Sequence, residues 1–130
     1  MKQTITRAEL ATKFELGIER KKAEKQVFLL KAFENPEKGL IYQDIVDFLD
    51  YEIRYYRVGR AYYADDLESL GSEDDDDLLY LTVVSEPSPR VYAQYLREID
   101  PSDRADEKIT HSCLGELKFA IGRVLGSDMA

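Results

Sequence analysis

Apolar residues recur at steps of three and four along most of the chain, which is the spacing of one face of an α-helix. The longest such run begins at Ile41 and reaches Leu70. It predicts one helix of about 30 residues, or two helices with a break near Tyr51 or Gly59. Tyrosine, isoleucine and valine also favour strands, so residues 51–58 have a competing interpretation as a strand. Adjacent tyrosine pairs break strict alternation there and favour the helix.

A capping signal marks the start of the first helix. Thr6 stands three residues before Glu9, a spacing at which the threonine side chain can accept a hydrogen bond from the backbone N–H of the glutamate. Gly17 follows within the same apolar pattern. Because a glycine weakens a helix interior by about 1 kcal/mol, we expect a kink or a short break at residues 15–19.

A second helix is predicted from about Glu19 to Phe33, charged over its first half and apolar over its second. It should end at Asn35, because a residue that precedes a proline avoids the helical region of backbone space. The segment 35–39 has the asparagine, proline and glycine of a loop.

The chain has one good strand candidate, residues 78–84, which are continuous, apolar and β-branched at their end. A lone strand needs a partner, so we expect a hairpin or a small sheet at this point. The alternative is a turn of buried helix. The segment lies between the acidic loop 71–77 and a second, proline-bearing loop at 85–89.

Two further helices are predicted beyond residue 87. Ser88 can cap the first of them, with Pro89 at the first helical position, and Asp100-Pro101 should end it.

The last helix is predicted from about 104 to 125, with Gly126 as its C-terminal cap. Gly115 and Gly122 lie seven residues apart on nearly the same side, which would let another helix approach closely. An alternative role for this helix is to form the interface of a homodimer.

Together these elements predict a mainly α-helical single domain, 1–130, with about five helices and one short β element near 78–84. The length suits one domain, and 44% hydrophobic residues suffice for a substantial core. The predicted core residues are Leu10, Phe14, Leu30, Phe33, Ile45, Phe48, Leu49, Leu81, Leu96, Leu117, Ile121 and Val124.

The net charge of −8 is concentrated in one segment. Residues 64–86 carry nine acidic side chains and no basic one, whereas residues 1–63 carry twelve basic and ten acidic side chains. The low isoelectric point is therefore a weak reason to exclude a nucleic-acid partner, although such a partner is not the expectation.

Cys113 is the single cysteine, which excludes an internal disulfide and favours a reducing, cytoplasmic setting. No apolar run approaches the roughly 18 residues that a membrane span needs, so we expect no membrane association. His111 is the single histidine, and on a helix it would lie about 200° away from Cys113. The acidic run lacks the residue order of an EF-hand. With no catalytic or nucleotide motif, the sequence predicts neither an enzyme nor a bound cofactor or metal.

Five tyrosines and three arginines share the stretch 51–63, directly before the acidic run. Tyrosine and arginine are enriched at the energetic centres of protein interfaces, and an acidic surface speeds encounter with a basic partner. The alternative, in which the stretch has no binding role, is a half-buried helix followed by a hydrated loop that aids solubility. The expected partner-binding residues are Arg54, Tyr55, Arg57, Arg60, Tyr62, Asp65, Asp66, Glu73, Asp74, Asp75, Asp76 and Asp77.

The sequence thus predicts a non-enzymatic protein-protein interaction module, an adaptor, accessory subunit or inhibitor, that meets a basic protein surface. Mimicry of a nucleic-acid backbone is a special case of this hypothesis.

An alternative function comes from a partial resemblance to winged-helix domains. Residues 27–33 would be the first helix, 44–49 the second, the arginine-bearing segment after them the recognition helix, and 78–84 the start of the wing. The resemblance implies a DNA-binding transcriptional regulator. Carboxylates beside the recognition segment and before the wing would repel DNA, so such a domain should bind protein about as readily.

Overall fold

A computed structural model of the chain describes residues 4–67, 80, 81, 84 and 86–129, with side chains as far as Arg123. Helix α1 spans Arg7–Glu34. The predicted cap is confirmed, since the Thr6 hydroxyl oxygen lies 3.1 Å from the Glu9 nitrogen and accepts its hydrogen bond. Asn35 ends the helix, and a short 3₁₀ helix, Pro36–Lys38, reverses the chain.

Helix α2 spans Gly39–Tyr63 without interruption. The strand interpretation of 51–58 is therefore wrong, as is the predicted extension to Leu70. The helix ends because Asp65 adopts a left-handed conformation, with φ of 56°, and the Asp66 N–H turns back to the Ala61 carbonyl at 2.8 Å. The second and recognition helices of the winged-helix resemblance fall within this one helix, so that arrangement is absent from the described structure.

Two glycines set the distance between α1 and α2. A Cβ at Gly17 would lie 2.7 Å from Cε2 of Tyr56, and one at Gly59 would lie 2.7 Å from Cδ1 of Phe14. The Phe14 and Tyr56 rings meet edge to face with centroids 4.9 Å apart. The predicted break near Gly17 is wrong, because close packing against Tyr56 outweighs the weak helix preference of glycine.

Helix α3 spans Pro89–Glu98, and the Ser88 side chain caps it as predicted by accepting from the Arg90 N–H. Asp100 ends the segment and also caps the next helix, α4, which spans Pro101–Ser112. Its carboxylate accepts from the Ser102 N–H at 2.9 Å, and this hydrogen bond lowers the pKa of Asp100.

Helix α5 spans Leu114–Met129. The prediction of one continuous helix over 104–125 is wrong, because the chain breaks at Cys113. The Ser112 hydroxyl donates to the Ile109 carbonyl at 2.6 Å, and the Cys113 N–H donates to Thr110 instead. Helix α5 continues through Gly126, so the predicted cap there is also wrong.

The predicted β element is not supported. Tyr80 and Leu81 are helical, and the Val84 N–H donates to the Tyr80 carbonyl at 2.9 Å, four residues back as in an α-helix. No strand occurs in the described part of the chain, and the other residues of 78–84 lie outside it. Favourable strand propensity is a weak signal in a segment whose apolar side chains can equally pack on a helical body.

Helix α2 is the centre of the fold and packs against α1, α3 and α5, while α4 packs against α1. Its buried residues join two clusters, one built with α1 and α5 and one with α1 and α3. Leu10 and Leu96 are partly buried against these clusters, and Val124 lies beyond the described side chains. The predicted core residues confirmed as buried are Phe14, Ile45, Phe48, Leu49, Leu81, Leu117 and Ile121.

A buried ion pair ties α4 to α1. The Lys21 ammonium lies 2.8 Å from Oε1 of Glu107, and both residues are 0% exposed. Arg20 reaches the other carboxylate oxygen at 2.5 Å. The Lys21 ammonium also lies over the ring faces of Tyr56 and Tyr95, with centroid distances of 4.7 and 4.6 Å. A buried charge persists only when it is paired in this way.

Replacing Gly59 by alanine should lower the free energy of unfolding by about 1–3 kcal/mol, because the added methyl group collides with the Phe14 ring. Gly115→Ala is the matched control. A Cβ there has nothing within 4 Å, so this helix substitution should be neutral or stabilising by about 0.5–1 kcal/mol. Urea unfolding measures both, and equal effects at the two sites would contradict the close packing described above.

Glu107→Leu should cost about 3–5 kcal/mol of stability, because it leaves the Lys21 ammonium buried without its carboxylate. Adding Lys21→Met should recover much of that loss, and a double-mutant cycle in urea measures the recovery. Lys118→Met breaks an exposed pair with Glu86, 45% and 61% exposed, and should cost less than about 1 kcal/mol. Additive losses from Lys21→Met and Glu107→Leu would show that the two groups are not coupled.

Candidate interaction surface

Large apolar side chains are exposed at the end of the molecule where α1 turns into α2. Phe33 is 84% exposed and Leu40 is 85% exposed, and Leu30 and Ile41 are exposed as well. The short 3₁₀ helix between α1 and α2 brings these residues to the same end of the helical hairpin. We call Leu30, Phe33, Leu40 and Ile41 the turn surface.

The turn surface follows from the rotation of α1. Phe28 lies on the buried face of that helix. Phe33 is five residues further on, which turns it about 140° away, and Leu30 is turned about 160° from Phe28. The prediction that Leu30 and Phe33 are core residues is therefore wrong. All three residues lie within the predicted helix 19–33, and the apolar spacing there does not show which face is buried.

A groove adjoins the turn surface between α2 and α3. It has a volume of about 590 Å³, and Ile41 belongs to both features. Ile45 and Val91 contribute apolar wall, while the exposed Arg90 and Arg97 contribute positive charge. This end of the molecule therefore combines exposed apolar side chains with a groove that two cations edge.

The three arginines predicted to bind a partner have different environments. Arg60 is exposed. Arg54 is half-buried, and its guanidinium carbon lies 3.9 Å from the centroid of the Tyr80 ring. Arg57 is half-buried as well and interacts with other parts of the chain. The three arginines do not form one exposed group, because each step of three residues rotates the side chain by about 60° around α2.

The tyrosines of the same stretch mostly face inward. Tyr55 is only 4% exposed, so the structure does not present it to a partner. Tyr62 is half-buried, and its hydroxyl donates to a Glu116 oxygen at 2.8 Å, while Tyr63 donates to the other oxygen at 2.9 Å. These two hydrogen bonds hold α5 against the C-terminal end of α2.

The acidic residues of the predicted surface begin directly after α2. Asp65 and Asp66 are exposed, and the Arg7 guanidinium lies 3.3 Å from Oδ1 of Asp65. The predicted partner-binding residues Glu73, Asp74, Asp75, Asp76 and Asp77 lie outside the described residues. α2 has 25 residues, so Asp65 is roughly 37 Å along the helix axis from the turn surface.

The charged side chains inside the described structure mostly pair with one another. Both oxygens of Glu107 are engaged by Arg20 and Lys21. Glu52 is buried as well, with Oε1 3.3 Å from Nδ1 of His111, whose ring stacks on Tyr92 at 3.9 Å. Oε2 of Glu52 is buried and has no hydrogen-bond partner among the described residues. The described residues contain no group of three or more histidine, cysteine or acidic side chains placed to hold a metal ion.

Comparison with known proteins gives no relative for this chain: no family model, curated protein or solved structure matches it. Among the described residues, no helix is long and apolar enough to cross a membrane. The geometry of the chain itself must therefore carry any inference about function.

Burial raises the pKa of six tyrosines above the ordinary value: Tyr51, Tyr55, Tyr56, Tyr63, Tyr92 and Tyr95. The folded state keeps these phenol protons above about pH 10, where the unfolded chain releases them. Stability should therefore fall as pH rises beyond about 10, because the folded state then binds more protons than the unfolded one. We expect tyrosinate absorbance to rise together with the loss of helical circular dichroism.

Tyr55→Phe removes one of these groups and should make the alkaline loss of stability shallower. Urea unfolding at successive pH values measures the slope. Ionisation of more than three of the nine tyrosines before the helices unfold would contradict the burial of these six hydroxyls.

Proposed function

We propose that this protein is a non-enzymatic interaction module that binds a protein partner through the turn surface. The exposure of Phe33 and Leu40 at one end of a helical hairpin is the observation that carries the proposal. Large apolar side chains exposed at one end of a chain with 34% charged residues mark a place where another molecule excludes water.

The energy available at this surface is sufficient for specific binding. Removing a phenylalanine or leucine side chain from water stabilises a complex by about 1.5–3 kcal/mol. Phe33 and Leu40 together would thus contribute several powers of ten in affinity before the costs of association. Aromatic anchors surrounded by less critical contacts are the usual composition of an interface centre.

The acidic run indicates that the proposed partner has a basic surface. Nine carboxylates within 64–86 create a negative field that attracts a basic protein surface and accelerates encounter. Asp65 and Asp66 lie at the far end of α2 from the turn surface, so these two carboxylates act on approach rather than at the apolar contact itself. A partner that touches both of them and the turn surface must extend along the length of α2.

Affinity capture from native lysate tests the proposal. The double variant Phe33→Ser/Leu40→Ser should lose a protein that the unchanged chain retains, because it removes the two most exposed apolar side chains of the turn surface. Phe119→Ser is the matched control, since Phe119 is 69% exposed on α5 and far from the turn in sequence. This control should retain the same protein.

Nuclease treatment and sedimentation analysis separate the competing outcomes. A retained protein that disappears after nuclease treatment would indicate a nucleic-acid tether and contradict direct protein binding. Self-association that Phe119→Ser abolishes would favour a homodimer through the C-terminal helix. Capture of the same proteins by all three forms of the chain would remove the turn surface from the proposal.

A further inference from the structure

A cleft of about 320 Å³ opens between α1 and α2 on a side of the hairpin distinct from the turn surface. Lys22 and Lys25 line it from α1, and Arg54 and Arg57 line it from α2. Each pair is separated by three residues, the spacing at which helical side chains are neighbours. The two pairs therefore present cations to the same opening from opposite walls.

The charge balance of this cleft is opposite to that of the whole protein. Among its described lining residues are four cationic side chains and one carboxylate, Asp50, whose Oδ1 lies 2.6 Å from the Lys25 ammonium. The chain as a whole carries −8. The Lys22 ammonium lies 3.6 Å from Oε1 of Glu19, so a bound anion would compete with Glu19 and Asp50 for the two lysines. A phosphate would gain attraction from all four cations at once.

The cationic groups also differ usefully in chemistry. A guanidinium can donate two parallel hydrogen bonds to a phosphate, whereas an ammonium acts as a compact point charge. Stacking over Tyr80 holds the Arg54 guanidinium in place. Ile53, which is 7% exposed, contributes an apolar floor. This mixture resembles the composition of small-ligand sites, in which a few polar groups converge over apolar wall.

We infer that this cleft binds a small ligand through a phosphate or diphosphate group. Lys22 and Lys25 supply charge from one wall, and Arg54 and Arg57 supply directed hydrogen bonds from the other. The volume lies near the lower limit for small-molecule sites, which suits a diphosphate-sized group better than an extended polymer. Arg54 and Arg57 also interact within the chain, so a ligand competes with those contacts.

Titration of the full chain with inorganic pyrophosphate at low ionic strength, followed by calorimetry, tests this inference. Saturable binding is expected, accompanied by a higher thermal unfolding temperature. The variant Lys22→Gln/Arg57→Gln should bind pyrophosphate at least roughly tenfold more weakly, because it removes one cation from each wall. Arg90→Gln/Arg97→Gln removes the same charge from the groove between α2 and α3 and should leave the affinity unchanged.

A single substitution guards against a folding defect in the double variant. The Lys22 side chain is 49% exposed, so Lys22→Glu should keep the fold while placing a negative charge at the opening of the cleft. Circular dichroism checks the fold, and weakened pyrophosphate binding in a folded Lys22→Glu protein supports the site.

Three results would overturn the inference. One is the absence of saturable pyrophosphate binding, and another is an equal loss of binding in the Arg90→Gln/Arg97→Gln control. The third is much tighter binding of a single-stranded oligonucleotide, lost in the cleft variants, which would assign these cations to a nucleic-acid backbone.

Discussion

The close approach of α1 to α2 is the constraint on which the rest of the fold depends. Gly17 and Gly59 each face an aromatic ring of the opposite helix, so the two backbones come close enough for Phe14 and Tyr56 to interlock. α2 can then present its other sides to α3 and α5. Larger residues at either glycine would push the helices apart at the cluster that holds Phe14 and Tyr56.

Buried charged groups fix the relative positions of the helices more closely than apolar packing does. An apolar contact tolerates sliding by a turn, but a buried ammonium must meet its carboxylate. Lys21 and Glu107 thereby fix how α4 lies on α1. A hydrogen bond of 2.5 Å between the Tyr56 and Thr110 side chains also connects α4 to α2. Buried polar side chains can indicate a reactive site. Here their burial is explained by the contacts through which they connect the helices.

Local signals in the sequence located most helix boundaries but not the partners of the helices. The caps at Thr6 and Ser88 depend on neighbouring residues alone, and both are confirmed. The roles of Gly17 and of the break at Cys113 depend on contacts or side-chain hydrogen bonds that propensity does not record. The predicted β element near 78–84 is not supported for a similar reason. The conformation of a short apolar segment depends on the surface against which it packs.

The candidate surface was less predictable than the fold. Tyrosine and arginine in 51–63 are typical of an interface, yet the same residue types serve a buried central helix, and Tyr55 is enclosed there. Phe33 illustrates the opposite error, because hydrophobicity alone assigned it to the core. The contacts of Phe28 with the core decide which face of α1 is buried, and Phe33 lies on the other side of the helix.

The link between Lys21 and Glu107 also has a consequence for synthesis on the ribosome. The two residues are 86 positions apart, so the ribosome must translate as far as residue 107 before the lysine can acquire its counter-ion. Until then the newly made α1–α2 hairpin carries an ammonium without that carboxylate on the face that later becomes interior, and water must remain there. Dry, final closure of the domain therefore waits until the segment that carries Glu107 has been made.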